Sequence, residues 1–189
     1  MLDQALEIIA ARLNGFISQR VDIDEDIVEI ASPVSPDGVM PVEANDKILI
    51  FVANISKDTL PYSRSCQTVK SGIIQSTEAL YLNIHISIAA NFHGNRYVDA
   101  LSFLSMSIQC LHENPVLDRF IIPDIPTQLE KLIIEIENTD LNEVSNLWGM
   151  LGGKYLPSIF YKVRMLTIKP EGTVARVHTA SNPQALVGN

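Results

Sequence analysis

The chain has 189 residues, of which 47% are hydrophobic and 19% charged, and its formal net charge at pH 7 is −8. This length fits one domain with a sizeable core. Nucleic acids and anionic membranes bind to proteins through a basic face, and a net charge of −8 gives no sign of one. The sequence therefore predicts neither as a partner. The charged fraction is below the usual value of about 25%, which fits either a surface covered by other subunits or a monomer with polar, uncharged loops.

The cysteines and the N-terminus bear on the cellular compartment. Cys66 and Cys110 lack the spacing of a metal site, and the first residues carry acids where a secretion signal would carry bases. The longest apolar runs are strand-sized, well below the roughly 18 residues that a membrane helix needs. We therefore expect free thiols and a protein that is made and folded in the cytoplasm.

The first half of the chain predicts one helix and three strands. Residues 2–20 repeat apolar side chains at helical spacing, and residues 26–31 predict a short strand. The segment KILIFVANI, residues 47–55, is almost continuously apolar, which predicts a central strand covered on both faces. Residues 80–88 alternate strictly, so one face is apolar and the other is water-facing or an interface. The polar face consists of Tyr81, Asn83, His85 and Ser87.

Two long connections separate these elements. Residues 33–46 are rich in proline, and residues 56–78 show no sustained period. A connection longer than about 12–15 residues is usually functional or disordered. Because Ile73 and Ile74 would be costly to expose to water, we expect the second loop to order against a partner. An ordinary hairpin arm within the monomer is the alternative.

The second half predicts two helices and two strands around a proline-broken segment. The helices span residues 96–113 and 140–151, and Asp140 followed by Glu143 predicts a capping box at the start of the second of them. The strands span residues 129–137 and 158–168. Residues 118–126 contain two prolines and read as a broken connection.

Helices and strands do not alternate regularly in this order. The pattern predicts an α+β fold with a mixed, mostly antiparallel sheet and about three helices packed on it. Residues 1–169 form the predicted domain, and residues 170–189 form a tail or arm with at most a short strand over residues 173–178.

The segment LWGMLGGKYLPSIFYKVR, residues 147–164, predicts a rigid corner between the last helix and the last strand. Trp148 is expected to pack on the sheet as the main anchor of the helix, and Gly149 to leave room for a neighbouring backbone. Gly152 and Gly153 are expected to end the helix in a left-handed conformation. The predicted buried stripe of the helix consists of Leu141, Val144, Leu147, Trp148 and Leu151.

The sequence contains no constellation of residues typical of catalysis or of metal binding. The four histidines lack metal-ligand spacing, and His85 is expected on a surface or at an interface. Cys66 has neither a glycine-framed elbow nor an adjacent helix start, so an inert thiol is favoured over a nucleophile. Cys110 is predicted to serve in packing, and the acidic segment 22–26 to be a solvated turn. We therefore predict no enzyme, no metal and no cofactor.

A resemblance adds to this interpretation. The pattern LWxxLGGKYxPSxxYxVR at the corner resembles cap, or tail-terminator, proteins of extracellular contractile injection systems of the antifeeding-prophage and virulence-cassette type. The layout of residues 1–169 is similar to that family as well. The matching residues are Leu147, Trp148, Leu151, Gly152, Gly153, Lys154, Tyr155, Pro157, Ser158, Tyr161, Val163 and Arg164.

The resemblance implies a structural role and a fold like that of phage tail terminators. About six copies would close a homo-oligomeric ring on the end of the sheath and the inner tube, stop polymerisation and set the particle length, without catalysing a reaction. Such a protein would assemble in the cytoplasm and leave the cell as part of a particle. The expected contact elements are the loops 33–46 and 56–78 and the tail 170–189. Candidate interface residues are Tyr62, Arg64, Lys70, Ile73, Ile74 and Arg176.

The chain also departs from the family, and rival interpretations stay open. Some caps of this kind are longer, so any role of their C-terminal region is expected to be absent here or taken by another subunit. The chain could also serve as the terminator or neck protein of a contractile phage tail. A different class of function is a small-ligand or peptide-binding domain that uses the polar face of residues 80–88. A hydrolase using Cys66 is a further alternative.

Overall fold

A computed structural model of the chain describes residues 1–168 except 24, 35–40, 42–43, 59–79, 124, 127–128, 130 and 153, and the side chains of 165–168 are not described. Within these limits three α-helices and six β-strands follow one another along the chain. The elements are α1 (Leu2–Ser18), β1 (Val28–Ile30), β2 (Lys47–Lys57), β3 (Leu80–Asn91), α2 (Tyr97–Glu113), β4 (Val116–Asp118), β5 (Lys131–Ile136), α3 (Leu141–Met150) and β6 (Ser158–Ile168).

The strands form one six-stranded sheet in the order β1-β2-β3-β6-β5-β4. β1 runs parallel to β2, and all the other neighbours are antiparallel. The predicted α+β class is confirmed, with a mixed, mostly antiparallel sheet and three helices. β3 and β6 lie at the centre of the sheet, so two of the longest strand patterns in the sequence occupy its two innermost positions.

One face of the sheet is covered by α1 and α2, and together they enclose what we call the closed core. Alternate residues of the central strands point into it because successive side chains of a strand face opposite sides. Ile84, Ile86 and Ile88 of β3 are each fully buried there. Leu13 of α1 is also fully buried, and Cys110 of α2 lies with its Sγ atom 3.9 Å from the carbonyl oxygen of Arg12.

The parallel edge strand is held by a side chain of α1. The Asn14 Nδ2 group donates to the carbonyl oxygen of Val28 at 3.0 Å, and the Val28 N–H donates to Asn14 Oδ1 at 2.8 Å. This double hydrogen bond supplies backbone partners that an edge strand otherwise lacks. It helps to explain how three residues suffice for a strand.

Two strand predictions need correction. The strand β4 was not predicted, because three residues after Pro115 are too few for a periodic signal. The strand β2 was predicted to be covered on both faces, but its buried residues run only from Ile48 to Phe51. Beyond a register shift between Val52 and Asn54, the strand continues with largely exposed side chains, because it extends past the helices that cover its first half.

The polar face of β3 also differs from the expectation of a water-facing or interface surface. Asn83 is 3% exposed and Ser87 is fully buried, although both point away from the closed core. An open ligand-binding surface along these strand residues is therefore not what the structure presents. The cross-strand neighbours of Ser87 are Phe51 and Phe160, and Asn83 pairs with Ser56.

Candidate functional site

The corner around α3 is the unusual feature of the second face of the sheet. The helix begins at a capping box, in which Asp140 accepts hydrogen bonds from the N–H groups of Asn142 and Glu143 at 2.8 Å each. Glu143 Oε2 in turn accepts a hydrogen bond from the Asp140 N–H at 3.2 Å. The predicted cap is confirmed, and it fixes where this helix of ten residues starts.

Trp148 anchors α3 on the sheet as predicted. Its side chain is 3% exposed and packs with Phe51 of β2 and Ala89 of β3. The Phe51 and Trp148 rings meet edge to face with centroids 6.1 Å apart, and Tyr155 meets the other side of the indole at the same distance. Such aromatic pairs contribute roughly 0.5–1.5 kcal/mol beyond the area they bury.

The remainder of the predicted stripe is not buried, which corrects the sequence interpretation. Leu141 is 87% exposed, and Trp148 is the one residue of α3 that the structure buries. The reason is that the helix is short and rests on a small part of the sheet, so its flank has no described element against it. Val144, Leu147 and Leu151 are partly buried.

The uncovered flank forms a groove of about 340 Å³, which we call the α3 groove. Gly149 lines it, and a Cβ atom at this position would meet nothing within 4 Å. The expectation that Gly149 admits a neighbouring backbone is therefore wrong for the described part of the chain. The groove is lined by Leu141, Val144, Ser145, Trp148, Gly149 and Tyr155.

The corner residues after α3 connect the helix to the centre of the sheet. Gly152 has a φ of 92°, which confirms the predicted left-handed end, whereas Gly153 lies outside the described residues. The carbonyl oxygen of Pro157 accepts a hydrogen bond from the Ala90 N–H at 2.9 Å, and Ser158 pairs with Ala89. The chain thus enters β6 directly beside the contact that holds Trp148.

Tyr161, the last aromatic residue of the corner motif, lies on the opposite face of the sheet. It is 2% exposed within the closed core, opposite Ile86 of β3. Burial raises the pKa of its hydroxyl to about 12. That hydroxyl has no hydrogen-bond partner among the described residues. Trp148 and Tyr155 therefore lie at the α3 groove and Tyr161 in the closed core, so the motif residues do not form one site.

The predicted interface residues belong to two segments, 59–79 and 169–189, that lie outside the described part of the chain. Tyr62, Arg64, Lys70, Ile73 and Ile74, together with Arg176, all lie outside the described residues, as do Cys66 and the proposed tail. The division of the chain into a domain over 1–169 and a tail over 170–189 stays a prediction.

A chain of polar contacts crosses the second face of the sheet beyond α3. His85 Nδ1 lies 2.7 Å from Glu137 Oε2, and His85 Nε2 lies 2.9 Å from Ser56 Oγ. With the carboxylate accepting from Nδ1, the other ring nitrogen accepts from the serine hydroxyl. These contacts tie together β2, β3 and the segment after β5.

Arg164 of β6 extends this set with ion pairs on both sides. Its Nη1 lies 3.3 Å from Glu135 Oε1, and its Nε lies 3.8 Å from Asp58 Oδ2. Sequence analysis missed the whole arrangement. The sequence showed polar residues at alternate strand positions, but it did not show which of them would contact one another. The contacting residues become neighbours only because of the order of the strands in the sheet. We call this set the polar seam: Ser56, Asp58, His85, Glu135, Glu137 and Arg164.

The described part of the chain contains no cluster of three or more residues able to hold a metal ion. Burial raises the pKa of the Cys110 thiol, which is consistent with its predicted role in packing. None of the helices described is both long and apolar enough to cross a membrane.

A family model described as the Pvc16 N-terminal domain matches residues 4–180 of the sequence. The match covers nearly the whole chain. The chain belongs to this family. No curated protein matches the sequence of the chain.

The solved structures that share the fold of the chain include two from contractile particles. One is described as the PVC sheath/tube terminator of an extracellular contractile injection system in the extended state, with a TM-score of 0.59 and 14% identity. The other is described as the tube terminating cap of the anti-feeding prophage, with a TM-score of 0.58 and 15% identity. The chain is covered over 100% and 99% of its length, but spans only 64% and 61% of those proteins.

Proposed function

We propose that this chain is a structural terminator of a phage-tail-like contractile injection system. It binds the end of the growing tube and sheath, stops the addition of further subunits and so sets the length of the particle. The observation that carries this proposal is the family match over residues 4–180, together with a fold shared with two terminating proteins of such particles. A contractile phage tail is the rival context, and the family favours the injection system.

The partners in this proposal are further copies of the chain and the subunits of sheath and inner tube. About six copies form a closed ring, because a ring of identical contacts is the simplest assembly that matches the end of a tube. The ring assembles in the cytoplasm and leaves the cell with the particle. The low charged fraction of 19% supports a surface that other subunits cover.

The open edge of β2 supports this assignment. β1 pairs with β2 only at Ile48–Ile50, so the outer edge of β2 beyond Ile50 has no strand partner among the residues described. Val52 and Ile55 on this part of the strand are 37% and 45% exposed. An exposed, partly apolar strand edge is a template for pairing with a strand of another chain.

The proposal includes no catalysed reaction. Ser56, His85 and Glu137 have the connectivity of a hydrolase triad, which makes the point worth testing. However, Ser56 lies within an extended strand, paired with Asn83, and not on the sharp turn that raises a nucleophilic serine above a sheet. The three side chains act here as a link between strands.

The test is to delete the gene in a strain that makes the particles and to measure particle length by electron microscopy. We expect tubes and sheaths of irregular length, and normal length after the wild-type gene is supplied in trans. Complementation with Ser56→Ala should work equally well, since no chemistry is involved. Particles of normal length in the deletion strain would contradict the terminator role, and failure of Ser56→Ala alone would point to chemistry at the triad.

A further inference from the structure

A fully exposed phenylalanine projects from the turn after β4. Phe120 is 97% exposed, so it makes almost no packing contact with the described part of its own chain. The turn beneath it is well held, because Asp118 Oδ1 accepts hydrogen bonds from the N–H groups of Phe120 and Ile121 at 2.9 and 3.3 Å. The carbonyl oxygen of Asp118 also accepts from the Ile122 N–H at 2.8 Å.

Such a ring has the properties of an interface anchor. Aromatic residues are enriched among the few side chains that dominate binding, and a held turn loses little entropy when it docks. Ile121 beside it is 39% exposed, which widens the apolar contact. The exposed cation Arg119 precedes Phe120 in the same turn.

The α3 groove has the complementary properties. Its volume of about 340 Å³ is larger than the roughly 150 Å³ of a cavity that admits benzene, so a phenyl ring has room. Leu141 at 87% exposure and Tyr155 at 64% exposure leave apolar surface on its two sides. The exposed carboxylates of Asp140 and Glu143 stand at the end of the groove where α3 begins, and α3 itself contains no basic residue.

Phe120 and the groove belong to different parts of the fold. β4 is the last strand at one edge of the sheet, whereas α3 packs on β2 and β3, nearer the other edge. β4 lies three strand spacings from β3, or about 14 Å. Each copy therefore carries one apolar projection and one apolar recess at separate positions, which is the arrangement that a head-to-tail contact requires.

We propose that Phe120 of one copy inserts into the α3 groove of a neighbouring copy and that this contact repeats around the terminator ring. Arg119 then approaches the carboxylates of Asp140 and Glu143, so that the charges of the two surfaces are complementary. A second copy is the occupant because one and the same chain carries the exposed Phe120 side chain, the α3 groove and charges of opposite sign beside each of them. This contact rests on the proposed ring-forming function and specifies the surface that closes the ring.

The direct test places the photoreactive residue p-benzoylphenylalanine at Phe120 in the full chain. After irradiation of purified ring or particle, we expect covalent multimers, and mass spectrometry should map the cross-link to residues 141–155 of another copy. The same probe at Tyr97, which is 57% exposed on α2, is the matched control and should not label this segment. Cross-links from position 120 to sheath, tube or another surface of the chain would overturn the proposal.

A second measurement tests the energetics by native mass spectrometry and sedimentation. Phe120→Ala should weaken ring association about 30-fold or more, as expected of an interface anchor, whereas Tyr97→Ala should leave it unchanged. Arg119→Glu should also weaken association, and adding Glu143→Arg on the same chain should restore it. Circular dichroism of Phe120→Ala, Tyr97→Ala and Arg119→Glu should match the wild type, because these side chains are exposed. Glu143→Arg also removes the hydrogen bond to the Asp140 N–H, so the double variant is compared with Glu143→Arg alone.

The failure of this contact can be told from the failure of the proposed function. If Phe120→Ala still forms rings and restores normal particle length in the deletion strain, the contact is wrong and the terminator role stands. If the wild-type chain forms no ring, and if deleting its gene leaves the particle length unchanged, the terminator role fails and the contact fails with it.

Discussion

The two faces of the sheet differ in how completely helices cover them, and we infer that one face stabilises the domain while the other is available for assembly. On one face α1 and α2 cover alternate residues of β2, β3, β5 and β6 and enclose the closed core. On the other face, α3 anchors one tryptophan over Phe51 and Ala89, and leaves its flank uncovered. The same strands supply both faces, so the difference arises from what the helices cover.

The comparison assigns different consequences to similar side chains. A leucine in the closed core contributes to folding, because water is already excluded from it in the monomer. A leucine on the flank of α3 can contribute only when something else covers it. Substitutions on the two faces, and one pH titration, test this difference between them.

The largest effect is expected where the second face is closed. Trp148→Ala removes the anchor of α3 and should lower the free energy of unfolding by about 3–5 kcal/mol, measured by chemical denaturation. Because Trp148 is the only tryptophan of the chain, its fluorescence reports the packing before any substitution. Emission at a water-like wavelength from the native wild-type protein would contradict its burial at 3% exposure.

A matched pair of leucines compares the two regions directly. Leu13→Ala in the closed core should cost about 2–5 kcal/mol, because the residue is fully buried and leaves a cavity. Leu141→Ala on the α3 flank, at 87% exposure, should change the stability of the monomer by less than about 0.5 kcal/mol. Thermal unfolding of dilute protein measures both. Equal costs would mean that the flank is already covered within one copy.

The third effect is a dependence of stability on pH, caused by Tyr161 in the closed core. The pKa of Tyr161 is about 12 in the folded protein, against 10 for an ordinary tyrosine, because burial disfavours the phenolate. The folded state therefore holds this proton more tightly, so its stabilisation is complete below pH 10 and is lost as the pH rises towards 12. The loss amounts to up to about 2–3 kcal/mol.

The control for this effect is Tyr161→Phe. At neutral pH the variant should be as stable as the wild type or slightly more stable, since it removes a buried hydroxyl without a described partner. Between pH 10 and 12 its stability should fall less steeply than that of the wild type in urea titrations. Parallel curves for the two proteins would show that Tyr161 does not titrate from a buried position.

Much of the fold could be predicted because the strongest signals are local. The alternation in residues 80–88 predicted the central strand β3, and Asp140 with Glu143 predicted the start of α3. Gly152 predicted the end of that helix. Each of these depends on neighbours within a few positions of the chain. The short strand β4 was missed, since a three-residue strand exists only by pairing with β5.

The candidate site was predictable only in part. Trp148 was expected to be buried, and it is, but the stripe around it was expected to be buried too. A helical pattern says which side chains share a face, and it does not say how far the opposing surface extends. Nothing in the sequence indicated that Phe120 would be exposed. Its exposure of 97% depends on where the folded chain places the turn after β4.

Composition and periodicity were enough to predict the class of fold, the order of every element except β4, and the acidic character of the chain. These follow from composition and from periodicities of two to four residues, which reflect backbone geometry alone. Three features appear only in the tertiary structure: which face of the sheet is covered by helices, how His85 contacts Ser56 and Glu137, and where Phe120 and the α3 groove lie. Those features join residues far apart in the chain, and only the order of the strands brings such residues together.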